Sequence, residues 1–168
     1  IFVWYGSMWI QMGQDIDGEA AYDASGESVS LSSDGNTVAI GAQANDGNGS
    51  NSGHVRIYDW NGIYWIQRGQ DIDGEAAGDL SGHSVSLSSD GNTVAIGAPW
   101  NNGLDGHVRI YQWNGSYWWQ RGSDIDGTQS FGENIGSSVS MTSNGNAFIL
   151  GGYGTYGTSM PGLARIYQ

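Results

Sequence analysis

Residues 13–42 read GQDIDGEAAYDASGESVSLSSDGNTVAIGA, and residues 69–98 read GQDIDGEAAGDLSGHSVSLSSDGNTVAIGA. The two stretches differ only at Tyr22/Gly78, Ala24/Leu80 and Glu27/His83. A more divergent third copy starts at Gly122 with GSDIDG and continues from Ser137 as SSVSMTSNGNAFILGG. Self-similarity at a fixed spacing of this size marks a repeat architecture, in which each copy is one supersecondary unit that buries its apolar face on its neighbours. The chain is one repeat domain, with copies at about 1–56, 57–109 and 110–168.

Within a copy, Val29 and Leu31 alternate with serines and Val38 and Ile40 alternate with Thr37 and Ala39, around the turn residues Asp34-Gly35. That pattern predicts a β-hairpin. A variable loop rich in glycine and asparagine follows, and a second hairpin is predicted from Val55–Tyr58 and Tyr64–Gln67 around Asn61-Gly62. Each copy thus supplies about four antiparallel strands. The second face of the first hairpin carries Ser, Thr, Ala and Gly, small residues suited to a neighbouring sheet rather than to water. Four-stranded sheets stacked face to face are propeller blades. The expected fold is all-β, three tandem four-stranded antiparallel blades of β-propeller type, and a β-trefoil is the alternative because it too is built from three four-stranded repeats.

Composition agrees. Twenty-nine glycines, two prolines and 12% aromatics describe many short strands and tight turns. The net charge of −12, with five arginines and no lysine, repels a phosphate backbone and removes nucleic acid from the partners. The same charge suits solubility, divalent cations or basic surfaces. Without cysteine there is neither a disulfide nor a thiolate metal site. No apolar run is long enough to span a membrane. The start at Ile1 suggests a processed product or a piece of something longer.

Ser81–Pro99, SGHSVSLSSDGNTVAIGAP, resembles an FG-GAP repeat, a family named for its Phe-Gly and Gly-Ala-Pro ends. The opening pairs here are Ser25-Gly26, Ser81-Gly82 and Ile135-Gly136, and the closing triplets are Gly41-Ala42-Gln43, Gly97-Ala98-Pro99 and Gly151-Gly152-Tyr153. The resemblance implies the propeller blades found in integrin α-subunit heads and in many secreted or surface proteins, hence an extracellular or cell-surface location. It also implies a calcium loop between the two halves of the motif. That place holds only Ser33-Asp34-Gly35-Asn36 and Ser89-Asp90-Gly91-Asn92, too few ligands for the family's site.

Calcium has a second candidate. Asp15, Asp17, Glu19 and Asp23 stand at relative positions 1, 3, 5 and 9, as do Asp71, Asp73, Glu75 and Asp79, a spacing that can wrap oxygens around the ion. The third copy retains Asp124 and Asp126, with Glu133 displaced. A solvated charged strand guarding a sheet edge predicts the same pattern.

Histidine gives catalysis no support: His54 and His107 share one repeat position that the third copy fills with Leu163, and the serines sit in strand alternation rather than in a nucleophile elbow. A non-enzyme is expected. Trp4, Trp60 and Trp113 recur at one position and Trp9, Trp65 and Trp118 at another, as blade-core residues would. Aromatics that break the repeat, Tyr22, Trp100, Trp119, Tyr153 and Tyr156, are candidates for stacking on sugars or anchoring a protein partner. Asn48-Gly49-Ser50 and Asn114-Gly115-Ser116 are glycosylation sequons, making Asn48 and Asn114 candidate glycan acceptors.

The function expected is an extracellular structural or adhesive propeller module. Its partners would be identical chains or further repeats of the same polypeptide, joined head to tail in a ring or filament, with glycans or surface proteins as other partners. The alternative is a sugar-binding lectin using loop aromatics, with or without calcium.

Overall fold

A computed structural model describes residues 1–128, 132–155 and 161–168. The repeat becomes a row of antiparallel sheets. The first complete sheet runs β3 (Ser25–Leu31), β4 (Thr37–Ala42), β5 (His54–Trp60), β6 (Trp65–Gln67), in that order across the sheet. The two-residue strand β7 (Ile72–Asp73) pairs with the start of β5. The second sheet repeats this as β8 (Ser84–Leu87), β9 (Thr93–Ala98), β10 (His107–Trp113) and β11 (Trp118–Gln120), with β12 (Ile125–Asp126) beside β10. The third contains β13 (Ser138–Met141), β14 (Phe148–Gly152) and β15 (Leu163–Tyr167). A lone hairpin of β1 (Phe2–Trp4) and β2 (Trp9–Gln11) stands before the first sheet, matching the outer half of a blade. These are consecutive β-propeller blades in an open row, not a trefoil.

Side-chain alternation makes the interfaces. Ala39, Val55, Ile57 and Ile72 of the first blade bury against Val85, Leu87, Val94 and Ile96 of the second. Ala95, Val108 and Ile110 of the second blade do the same against Ile135 and Leu150 of the third. One face of each sheet therefore takes the part of a plug and the other that of a socket.

Serines on the innermost strands tie these faces together. Ser28 Oγ donates to Gly82 O at 2.6 Å and Ser84 Oγ to Gly136 O at 2.7 Å. Ser30 Oγ accepts from Leu87 N at 2.9 Å, and Ser86 Oγ from Met141 N at 3.0 Å. The serine alternation read from the sequence is thus the polar half of the blade junction. Ser32 and Asp34 shape the following turn: Ser32 Oγ donates to Asp34 Oδ1 and accepts from Thr37 N, and Asp34 Oδ1 accepts from Asn36 N.

At the rim, Trp60 faces Trp65 and Trp113 faces Trp118 across their hairpins, each pair with ring centroids 5.4 Å apart. Asn61 and Gly62 open a four-residue loop whose Asn61 Oδ1 accepts from Ile63 N and Tyr64 N. Trp65 Nε1 donates to Met12 O, and Trp118 Nε1 to Arg68 O, both at 2.8 Å. The Gln14 amide pairs with both the N–H and the C=O of Trp65, as Gln70 does with Trp118. Trp65 and Trp118 are buried and Trp60 and Trp113 half-buried, whereas Trp4 and Trp9 are exposed. The repeat position alone does not bury a tryptophan; the preceding connection does.

Candidate functional site

Strand alternation puts residues two apart on one face, so His54 and Arg56 project together from β5, and His107 and Arg109 from β10. A carboxylate from the connection before the blade and another from the connection after it meet each pair. Arg56 donates through Nε and Nη2 to the two oxygens of Asp71 at 2.9 and 2.8 Å, and its Nη2 also contacts Glu19. His54 Nδ1 lies 3.9 Å from Glu19 and 4.0 Å from Asp71. Gln67 Nε2 completes the shell of Asp71 at 2.5 Å.

The second blade repeats the set with Glu75, His107 and Asp124. His107 Nδ1 is 3.8 Å from Glu75 and 4.0 Å from Asp126, and Gln120 holds Asp124. Here the guanidinium has turned: Arg109 Nη2 donates to Asp73 O at 2.7 Å, while its Nη1 stays 3.7 Å from Glu75. In the third blade Leu163 replaces the histidine, and Arg165 Nη2 donates to both oxygens of buried Glu133 at 3.1 and 3.0 Å.

Charges are settled within each set. Burial lowers the pKa of His54 and Arg56 lowers it further, against the opposing pull of Asp71, Glu19 and Asp73. Burial and Arg109 do the same to His107 against Glu75, Asp124 and Asp79. Both imidazoles are neutral at pH 7. The bond from Arg56 holds the Asp71 carboxyl below its ordinary range, outweighing burial. For Glu133 burial pushes upward, but the bonds from Thr128 and Arg165 prevail and its pKa falls.

The donor atoms of Glu19, His54 and Asp71 lie within 4.8 Å of one another, as do those of Glu75, His107 and Asp124. Each set offers two carboxylates and an imidazole, whereas calcium takes about six to eight oxygens. In the first set a guanidinium already holds both carboxylates. The residues do not fit calcium. Nor does the turn between the halves of the motif, since the Asp34 and Asp90 carboxylates accept from Ser32 and Asn36, and from Ser88 and Asn92.

The spacing in sequence groups Asp15, Asp17, Glu19 and Asp23, but the fold groups Glu19 with Asp71, one copy further on. Asp15 accepts from Gln11, Asp17 is exposed, and buried Asp23 accepts from Asn45 at 2.8 Å. Buried Asp79 accepts from Ala76 N and Asn101. Asp73 and Asp126 are exposed and lie opposite His54 and His107 in the sheet, Asp126 Oδ1 being the oxygen 4.0 Å from His107 Nδ1. His54, Arg56, His107 and Arg109 lie outside the spaced carboxylates, and the recurring HVRIY at 54–58 and 107–111 is the sequence signal that marks them.

The repeat-breaking aromatics are not gathered. Tyr22, 96% exposed, lies between β2 and β3; Trp100 lies between β9 and β10, Trp119 on β11, and Tyr153 after β14. Tyr156 lies outside the described residues. Tyr22 has φ +77° where its counterpart Gly78 has φ +87°. Both sequon asparagines are exposed, but the Asn48 amide nitrogen donates to Gly74 O and Glu75 O, while Asn114 uses its oxygen to accept from Ser116 N and Tyr117 N.

Stacked four-stranded blades linked through equivalent residues define a β-propeller repeat protein. Residues 16–58, from the connection before the first blade to its third strand, match the model of the FG-GAP repeat family. No curated protein sequence matches significantly. Solved structures similar to this one include the Kuenenia stuttgartiensis hydrazine synthase, 16% identical over 78% of this chain and 30% of that one, with a TM-score of 0.48. TolB from Acinetobacter baumannii is 16% identical over 82% of this chain and 28% of its own, with a TM-score of 0.47. The chain spans less than a third of either protein's length.

Proposed function

We propose that this β-propeller repeat module is a non-catalytic structural or adhesive element acting outside the cell or at its surface. One observation carries the reading. The ionisable side chains that the fold brings together, Glu19–His54–Arg56–Asp71 and Glu75–His107–Arg109–Asp124, recur at equivalent blade junctions and engage one another there. Such sets fasten blades. Both histidines are buried, His54 to 4% and His107 to 1% exposure, whereas a catalytic acid or base must come within hydrogen-bond reach of its substrate. The FG-GAP match at 16–58 supports the extracellular assignment.

A lectin is the second reading, and Tyr22 favours it: a fully exposed aromatic ring holds a backbone conformation that its counterpart fills with glycine. A glycan array on the purified chain, run with and without calcium, tests both. The structural reading predicts no saturable binding, and the lectin reading predicts binding that free sugar competes away and that Tyr22→Gly abolishes.

A further inference from the structure

The two junction sets share their residue types and differ in what the arginine does. In the first, Arg56 bonds Asp71 through two nitrogens and also contacts Glu19, so a guanidinium sits between the carboxylates. In the second, Arg109 Nη2 is drawn off to the carbonyl of Asp73 at 2.7 Å, and the guanidinium lies over the Tyr111 ring, 5.5 Å from its centroid. Its Nη1 stops 3.7 Å from Glu75 Oε1, and its buried Nε has no hydrogen-bond partner among the described residues. Glu75 and Asp124 therefore meet His107 without a guanidinium bonded to either of them.

His107 gives an independent indication. The ring is 1% exposed, yet neither nitrogen makes a hydrogen bond among the described residues. Nδ1 faces Glu75 Oε2 at 3.8 Å and Asp126 Oδ1 at 4.0 Å, both beyond bonding reach. Buried polar groups are as a rule satisfied, so a buried ring nitrogen aimed at carboxylates it does not bond calls for an explanation. A metal ion between them supplies one. The donor atoms of Glu75, His107 and Asp124 lie within 4.8 Å of one another. Ligands of a tetrahedral zinc ion stand roughly 3.4 Å apart, so small movements of these side chains would close them on it.

The donor set selects the metal. One imidazole and two carboxylates are the mixed nitrogen and oxygen ligands that zinc takes in three-ligand sites, with water in the fourth position. Charge agrees, since Glu75, Asp124 and Asp126 stand around the neutral ring with only Arg109 to oppose them, and three carboxylates against one guanidinium leave an excess that a divalent cation balances. Gln120 Nε2 bonds Asp124 Oδ1 at 2.5 Å and orients that carboxylate, as outer-shell groups do around a metal.

We infer that Glu75, His107 and Asp124 bind a zinc ion, through Nδ1 of the ring and an oxygen of each carboxylate. This rests on the structural reading above and gives it a fastener: Glu75 precedes the second blade and Asp124 follows β11, so one ion ties the connection on one side of the blade to that on the other. The first set is closed to the ion by Arg56, and the third blade has Leu163 in place of the histidine.

Calorimetric titration of zinc chloride into the purified, EDTA-treated chain should show a single saturable site at micromolar concentration and a raised melting temperature, and calcium chloride should give neither. Glu75→Gln, at a side chain 44% exposed, should fold, as circular dichroism checks, and should weaken zinc binding by at least about tenfold. His107→Asn should abolish it. His54→Asn removes a similarly buried imidazole from the set that Arg56 closes, and should leave zinc affinity unchanged. The absence of saturable heat in the unmodified chain, binding that Glu75→Gln leaves intact, or a loss in folded His54→Asn as large as in His107→Asn would overturn the inference. Competable glycan binding would count against the structural reading alone, since the zinc titration reads a different group of side chains.

Discussion

Gly41 lies against the carbonyl of Gly82 so closely that a Cβ on Gly41 would meet that oxygen at 2.1 Å, and Gly97 meets the Gly136 carbonyl at the same distance. The serine bonds Ser28–Gly82 and Ser84–Gly136 end on these same carbonyls. The glycine of the Gly-Ala-Pro triplet is therefore a spacing element, which lets the inner strand of the next blade come close enough to be bonded.

Gly97→Ala should destabilise the chain by about 1–3 kcal/mol, the usual range for overpacking a tight contact, because the obstacle is backbone rather than a side chain that can swing away. Urea titration reads it. A loss no larger than that of Gly47→Ala, whose backbone is not left-handed and whose methyl would meet only the side-chain ends of Asn45 and Asp73, would refute the spacing role.

Trp118→Ala should cost about 3–5 kcal/mol, since the ring is 2% exposed and its N–H is bonded to Arg68 O. Trp119→Ala, next in sequence but exposed, should cost far less. Trp9→Ala also should cost little in the single chain despite sharing the repeat position of Trp118, and equal losses at all three sites would show that position rather than burial decides.

The histidines make stability fall in mild acid. Their folded-state pKa values are depressed, so as pH drops through about 6.5 the unfolded chain takes up protons that the folded chain refuses. Stability is full above that value and is lost below it. His107 faces Arg109, Glu75, Asp124, Asp126 and Asp79. The urea midpoint should decline between about pH 7 and pH 5.5, and His107→Asn should shallow that slope; an unchanged slope would show the imidazole to be no part of it.

Tyr22→Gly should raise the melting temperature. A left-handed conformation costs a side-chain residue roughly 1–2 kcal/mol, and a ring 96% exposed has little packing to lose. Destabilisation instead would mean that the ring makes contacts worth more than the strain.

Much of this fold was legible because the repeat prints each strand twice almost unchanged. Alternation at Val29–Leu31 and Val38–Ile40 identified the inner hairpin, and small Ala39 and Gly41 identified the face that meets another sheet. The candidate site was less legible. Glu19 and Asp71 are 52 residues apart, and only the stacking of blades puts them on one arginine; spacing within a copy pointed instead to the local run Asp15–Asp23. Trp4 and Trp9 were misleading for the same reason, since burial in a stacked row depends on the neighbour and not on the repeat itself.

The amide of Gln14 has a consequence for behaviour in concentrated solution. Trp65 and Trp60 form a pair whose backbones point away from each other, so the N–H and C=O of Trp65 face outward from the rim of the blade. Left bare, such groups template the addition of a foreign strand and begin the growth of aggregated sheet. Gln14 and Gln70 fill those bonding sites with an amide that imitates a peptide group but cannot be extended. At Trp65 and Trp118 the strand edge is thereby closed to the addition of a further strand.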